Sequence, residues 1–379
     1  MDKIKYFFEC LIPITVCNMK CHYCYVAQRH QRTMKMPSMP YSPQHIAKAL
    51  SKERLGGLAY ISICGAGETT MIKELPDLCY ELTKDGHYIN ITTNGTYGKF
   101  FEKLYEICSA EQLSHINFSF SLHYLELARL KAFDKFFNII DDVKNHGCSF
   151  MVQFNLCDEY EPYLEEIKKL CIEHVGAYPQ IAATRDEINL SNDIRLYTKH
   201  TKEEYVASVS DFKSPLFDFT MKNFMVKRKE YCYAGKWGGT LNMSTGVLRP
   251  CYSSPICQNI FDDLSKPIKW ISVGYHCTSP FCMNSSHFIS WGMIPSFQAP
   301  SYGELRNRKM IKGGEWYSPV MKEILSQKIY DNRTLDTKKD IFFSNYYYWL
   351  YNVLQDYKAF RYGVISSIAH KVLSFIKKT

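Results

Sequence analysis

CNMKCHYCY, residues 17–25, sets three cysteines in the spacing C-x3-C-x2-C: Cys17, Cys21 and Cys24. Three thiolates this close together can hold three irons of a cubane 4Fe–4S cluster and leave the fourth iron without a protein ligand. An open iron accepts something else, which points to chemistry at the cluster rather than electron transport alone. Zinc is the rival: a structural zinc site needs four ligands, and His22 or His30 is close enough in sequence to supply the fourth.

Residues 4–16 (IKYFFECLIPITV) read as a strand running into this loop. Strands and helices then alternate. Ser42 to Leu55 reads as a helix capped by Ser42 with Pro43 at its first position. Strands are expected at 58–64 (LAYISIC), 87–93, 115–122, 148–156 and 178–184, separated by helices at 71–85, 98–109, 126–146 and 160–175. Six strands with helices between them predict an α/β fold with a parallel sheet and helices outside. Alternation alone does not separate a partial barrel from an open doubly wound sheet.

Residues 186–230 are polar and irregular, with one short helical pattern near Thr201–Ser210, and read as a connector. Residues 231–295 are rich in Cys, Gly, Ser and Pro, and GTLNMSTGVLRPCY (239–252) alternates around Ser244-Thr245-Gly246 as a hairpin. A region with so few long periodic segments has little core of its own and needs a staple, for which clustered cysteines serve. Residues 296–379 are mostly helical and aromatic, ending in a basic segment. Its last part reads as a helix packing its aromatic face on the barrel or, alternatively, an amphipathic helix that meets a membrane or a partner.

Hydrophobic residues make up 46% and charged residues 22% of the 379, which supports a real core and excludes a mainly disordered chain. The net charge of +8 is scattered rather than striped, so no nucleic-acid partner is expected. The opening apolar run is broken by Glu9 and no cleavage site follows, and no stretch is apolar for long enough to span a bilayer. A cytoplasmic chain without a transmembrane segment is expected. Fifteen cysteines, an odd number, then point to metal ligands plus free core thiols rather than a disulfide framework. Cys79, Cys108, Cys148, Cys157 and Cys171 lie in apolar periodic segments and read as small buried hydrophobes.

Further motifs fall at strand ends, where a barrel carries its site. GAGE (65–68) follows the second strand; its glycines let backbone amides approach a ligand, and Glu68 can accept from an ammonium. TTNG (92–95) ends the third strand. In NFSFSLHY, Ser119, Ser121 and His123 share one face of the fourth strand, as Gln153 and Asn155 do on the fifth. Polar residues on an inward face need an explanation. Arg185 follows the sixth strand.

The triad, the aromatic Tyr23 before its last cysteine, GAGE and the strand-end motifs together resemble the radical S-adenosylmethionine (radical SAM) enzymes over about residues 5–185. The resemblance implies a partial (β/α)6 TIM-like barrel at 1–185 whose open iron binds the amino and carboxylate groups of SAM. It implies cofactor contacts at Tyr23, Gly65, Gly67, Glu68 (the SAM amino group), Asn94, Ser121 (ribose), Asn155 and Arg185 (carboxylate). Thr69 stands where the family often has proline.

A second group, Cys232-x13-Gly246-x4-Cys251, resembles the opening of the auxiliary-cluster domains called SPASM and twitch. With Cys277 and Cys282, four thiolates would fully ligate a second 4Fe–4S cluster. The spacing of the last pair departs from the longer SPASM pattern and too few cysteines remain for another cluster, which favours a twitch-like domain at 231–295. Cys257 replaces one ligand or is free. A zinc ribbon is the alternative, with His276 and His287 as polar surface.

The resemblance implies an oxygen-sensitive enzyme. Its reduced cluster passes one electron to SAM, and the 5′-deoxyadenosyl radical so released abstracts hydrogen from a substrate. A fully ligated second cluster suits an electron-accepting role. An electron donor such as flavodoxin or ferredoxin would serve it. The substrate is a peptide or protein, or a small or glycan-linked metabolite. The barrel begins almost at Met1, so no leader-peptide-binding domain is expected ahead of it. The reading from another class is a non-catalytic iron–sulfur or zinc-binding protein that engages a partner through the aromatic tail.

Overall fold

Strands and helices alternate from Ile4 onward: β1 (Ile4–Ile12), β2 (Leu58–Gly65), β3 (Tyr88–Thr93), β4 (Ile116–Ser121), β5 (Ser149–Leu156) and β6 (Gln180–Ala183). Each pairs with the next in parallel. The computed structural model describes residues 2–187, 195–279, 281–282 and 285–376. Residues 188–194 of the expected connector and the last three of the basic tail lie outside them.

A short ladder, β7 (Arg185–Asp186) and β8 (Arg195–Leu196), follows β6. The hairpin expected around Ser244-Thr245-Gly246 forms as β9 (Gly238–Asn242) and β10 (Val247–Arg249), with β11 (Gln258–Asn259) beside it. It joins the main sheet: β9 lies parallel to β1, giving the order β11-β10-β9-β1-β2-β3-β4-β5-β6. Among the described residues the sheet ends at β6. The architecture is the α/β partial barrel with a helical C-terminal region. Gly238 makes the junction possible: its φ is +130°, and a Cβ there would fall 1.8 Å from the Phe7 carbonyl oxygen.

Several elements differ from the sequence pattern for local reasons. The first strand stops at Ile12, before Pro13, and the carbonyls of Ile14 and Val16 instead accept from Gly67 and Glu68. The helix expected from Ser42 to Leu55 splits because Ser51 caps a second short helix, accepting from Arg54 N. The helix expected at 126–146 breaks at Lys131, which sits at φ +51°. The connector contains a helix, Pro215–Asn223, packed on β6.

Large apolar side chains fill the sheet and its flanks, among them Phe7, Tyr60, Phe118 and Trp291, all fully buried. The five cysteines read as core thiols are buried as expected. The tail forms one helix, Lys338–Ile376. Among the described side chains its contacts go to the cysteine-rich region rather than to the barrel: Ser344 Oγ donates to the Ser272 carbonyl (2.7 Å), Tyr348 stacks on His276, and Tyr351 donates to the Pro255 carbonyl (3.0 Å). Phe342 and Phe360 are exposed. The side chains beyond Arg361, where an amphipathic face was expected, lie outside the described ones. Among the described residues no helix is long and apolar enough to cross a membrane.

Candidate active site

After β1 the chain turns at Pro13 into the loop that carries Cys17, Cys21 and Cys24. The loop is tied down from several sides. Lys20 N donates to Glu126 Oε2 (2.5 Å), Asn18 Nδ2 to Thr96 Oγ1 (2.7 Å), and Arg32 to the Met19 carbonyl. These bonds use backbone and amide groups, and the three thiols line one cavity of about 280 Å3. All eight residues expected to touch the cofactor line the same cavity.

Burial pushes the Cys21 thiol up to about 12, with Cys17 and Cys24 beside it adding to the shift. Cys17 is raised by burial too. Ionising such a group is costly until positive charge sits among the sulfurs, which an iron–sulfur cluster supplies. A single tetrahedral zinc would need its sulfurs about 3.8 Å apart, given bonds near 2.3 Å. Among the described residues, the ligand atoms that gather within 4.8 Å are those of His22–Cys157–Glu159 and Asp158–Glu161–His200, and neither cysteine set is that tight. Thiolates radiating from the irons of a cubane stand wider apart. His22 turns from the triad to Glu159, Nε2–Oε2 3.2 Å.

Glu68 is buried at the end of β2 and takes four donors. Oε1 accepts from Thr70 N (3.1 Å), Thr70 Oγ1 (2.5 Å) and Thr93 Oγ1 (2.6 Å), and Oε2 from Asn94 N (2.8 Å). Burial pushes its carboxyl above the ordinary range while these bonds pull it back. The glycines of GAGE act differently from expectation. The amide of Gly67 is spent on the Ile14 carbonyl (2.7 Å) and that of Gly65 on Thr69 Oγ1 (2.9 Å). A Cβ on Gly67 would lie 2.1 Å from the Val16 carbonyl oxygen. Glycine is required so that this turn can pack against the cysteine loop.

Asn94 links the same parts: Nδ2 donates to Asn18 Oδ1 (2.8 Å) and contacts Cys17 Sγ (3.7 Å), while Oδ1 accepts from Thr96. Tyr23 turns its hydroxyl to His123 Nδ1 (2.7 Å) and Tyr160 (3.1 Å). Burial pushes His123 down to about 4, so it is neutral near pH 7. Ser121 and Asn155 line the cavity with no side-chain hydrogen bond among the described residues. Arg185 reaches the cavity paired with Glu187, Nε–Oε1 3.3 Å, and Glu187 also holds Arg29.

A larger cavity of about 560 Å3 opens from the first, sharing Tyr25, Thr92, Asn155 and Arg185 with it. Cys282 lines it. Cys282 also belongs to the second cysteine group, which the fold draws together. Cys232 and Gly274 bridge through paired backbone bonds (3.1 and 2.8 Å), which brings the segment carrying Cys277 alongside. Burial pushes the Cys232 thiol well up, with Cys251, Cys282 and Cys277 adding to the shift. Cys257 is exposed and lines a separate small groove with Lys269 and Tyr347.

The sequence pattern did not point to Thr70, Asn18 or Glu126, because ordinary polar residues at loop ends carry no signature, and it marked Thr93 only as part of TTNG. Glu9 and His287, which line the larger cavity, were visible only as a charge interrupting an apolar strand and as polar surface.

Residues 11–171 match the sequence model of the Radical SAM superfamily. Among solved structures, the chain is similar to Streptococcus suis SuiB bound to S-adenosylmethionine at 16% identity and a TM-score of 0.48, covering 68% of this chain and 64% of that one. It is similar to native anSMEcpe with bound AdoMet at 15% identity and a TM-score of 0.46, covering 69% and 80%. BtrN in complex with AdoMet and 2-DOIA is similar at 20% identity and a TM-score of 0.29, covering 41% and 58%. The chain thus spans just under two thirds of SuiB.

Proposed function

Residues 11–171 of this chain are a radical SAM domain, and from that premise we propose that the protein is a radical SAM enzyme with two iron–sulfur clusters. Cys17, Cys21 and Cys24 hold the first 4Fe–4S cluster. When bound there, the cluster and SAM supply reductive cleavage to a 5′-deoxyadenosyl radical that abstracts hydrogen from a substrate. The observation that carries this reading is the convergence of the three thiols, the Glu68 cage and the strand-end residues on one cavity.

The chain's own groups divide the work. Asn94, Asn18 and Glu126 position the cysteine loop. Glu68 accepts from the SAM ammonium in addition to its internal donors, a charge-assisted bond that favours the ionised carboxylate. Gly65 and Gly67 shape the turn against which SAM lies. Tyr23, held by His123, closes the wall beside Cys24. Ser121 and Asn155 offer unspent hydrogen-bonding capacity to the ribose side. Arg185 takes the SAM carboxylate while Glu187 keeps its guanidinium in place.

Cys232, Cys251, Cys277 and Cys282 hold a second 4Fe–4S cluster, as a twitch-like region within 231–295. Because Cys282 borders the larger cavity, that cluster lies within electron-transfer reach of a substrate there. A flavodoxin or ferredoxin in the cytoplasm would reduce the first cluster.

The test is anaerobic reconstitution with iron and sulfide, reduction with dithionite, and assay for 5′-deoxyadenosine after adding SAM. Cleavage is expected, and replacing Cys17, Cys21 and Cys24 with Ala should abolish it while the second cluster's visible absorption remains. Stoichiometric zinc without iron, or an intact cluster that never cleaves SAM, would overturn the reading.

A further inference from the structure

The larger cavity has a charged floor that chemistry at the cysteine loop does not use. Glu9 is 5% exposed on β1, on the strand face it shares with Phe7 and Leu11. Its carboxylate faces His287, Oε2–Nδ1 3.4 Å, and takes a hydrogen bond from Tyr252. Arg306, 2% exposed, lies over the Tyr302 ring at 3.6 Å. Its hydrogen bonds are long, 3.4 Å to the Tyr302 carbonyl and 3.5 Å to Ser286 Oγ. Among the described residues no carboxylate oxygen comes within 4.0 Å of it. Burying a carboxylate and a guanidinium costs several kcal/mol each unless something bonds them.

Above the floor the wall is neutral and polar. Thr92 on β3 and Gln153 and Asn155 on β5 line the cavity, and their side chains make no hydrogen bond among the described residues. Tyr252 and Phe281 add aromatic surface next to Cys282. Of the charged groups lining the cavity, Glu9 lies in the field of Arg306, and Glu187 pairs with both Arg29 and Arg185, a near balance that does not favour a strongly charged ligand. What remains is a dense set of donors and acceptors, which matches groups that both donate and accept, as hydroxyls do. The volume of about 560 Å3 lies in the range of small-molecule sites.

We propose that this cavity binds a compact polyhydroxylated ring, a sugar or cyclitol, gripped by Glu9, His287 and Arg306 at the floor and by Thr92 and Gln153 on the wall. The proposal rests on the radical SAM reading and gives it a substrate class. Because the two cavities meet at Tyr25, Thr92, Asn155 and Arg185, a ring held at the floor presents its upper carbons to the mouth of the SAM cavity. Glu9 and His287 are positioning and recognition groups in this arrangement.

The test is saturation-transfer NMR on the reconstituted holoenzyme with SAM. The probes are N-acetylglucosamine, myo-inositol and the tripeptide N-acetyl-Ala-Ser-Ala-amide. Transfer to the protons of at least one ring is expected, reduced at least about fivefold in Glu9→Gln and in Gln153→Met, with none to the tripeptide. Gln153 is only partly buried, so its variant keeps the test decisive if Glu9→Gln does not fold. Transfer to the tripeptide alone, no transfer to either ring, or equal transfer in wild type and variants would overturn the proposal. SAM cleavage is assayed on the same preparation. Its absence beside intact ring binding would overturn the radical reading and leave the ring site standing.

Discussion

Glu68 shows how one side chain can tie a cofactor pocket to the backbone around it. Both carboxylate oxygens accept, from Thr70 and Thr93 on one side and from the amide of Asn94 on the other. A glutamine offers one acceptor and one NH2 group, so whichever way it turns, a buried donor meets another donor. Glu68→Gln is expected to cost about 1–3 kcal/mol of stability and to weaken SAM binding at least about tenfold. Denaturation and anaerobic equilibrium dialysis measure the two effects; unchanged SAM affinity in a folded, cluster-loaded variant would limit Glu68 to building the turn. At this scale GAGE was legible in the sequence because its residues are adjacent. The purpose of its glycines was not, since Gly67 answers to the carbonyl of Val16, fifty-one positions earlier in the chain.

The strand pair β1–β9 is the element on which the molecule turns, since it attaches the cysteine-rich hairpin to the barrel. Gly238 occupies a backbone conformation that L side chains rarely adopt, with Phe7 backbone atoms where a Cβ would stand. Gly238→Ala is therefore expected to destabilise by more than about 3 kcal/mol, from strain and overpacking together. A fall in the urea midpoint or loss of soluble protein reads this out; a midpoint within experimental error of wild type would mean that the two strands can separate freely. Hydrophobic alternation made the six parallel strands legible, because each buries its residues through contacts that repeat along a short segment. The interruptions at Ser51 and Lys131 were not legible, because a serine that recaps a helix and a lysine at positive φ look like ordinary helix-surface residues. The helix Pro215–Asn223 was missed because its sequence neighbours are polar and its apolar face is matched only by β6.

At the scale of the whole molecule, the cysteine-rich region is stitched to its surroundings from both sides. β9 binds it to the barrel, and Asp336, taking bonds from Tyr231 (2.5 Å) and Ser272 (2.7 Å), fixes the start of the tail helix against it. A cluster held by Cys232, Cys251, Cys277 and Cys282 would tie these pieces once more, and metal binding of that kind contributes to folding. The double variant Cys232→Ser, Cys277→Ser is expected to bring iron from about eight to about four atoms per chain and to lower the melting temperature of the reconstituted protein. Iron content that stays at the wild-type level would assign the second group another role. What the sequence by itself determined is local or periodic: the spacing of Cys17, Cys21 and Cys24, the alternation of strands and helices, and the turn motifs at strand ends. These rest on neighbours a few residues apart, so no fold is needed to read them. Only the tertiary structure brought Glu9 to His287 and Arg185 to the edge of both cavities. Those meetings join residues tens to hundreds of positions apart, and the physical forces that make them, burial of a paired charge and packing across a sheet junction, leave no pattern along the chain.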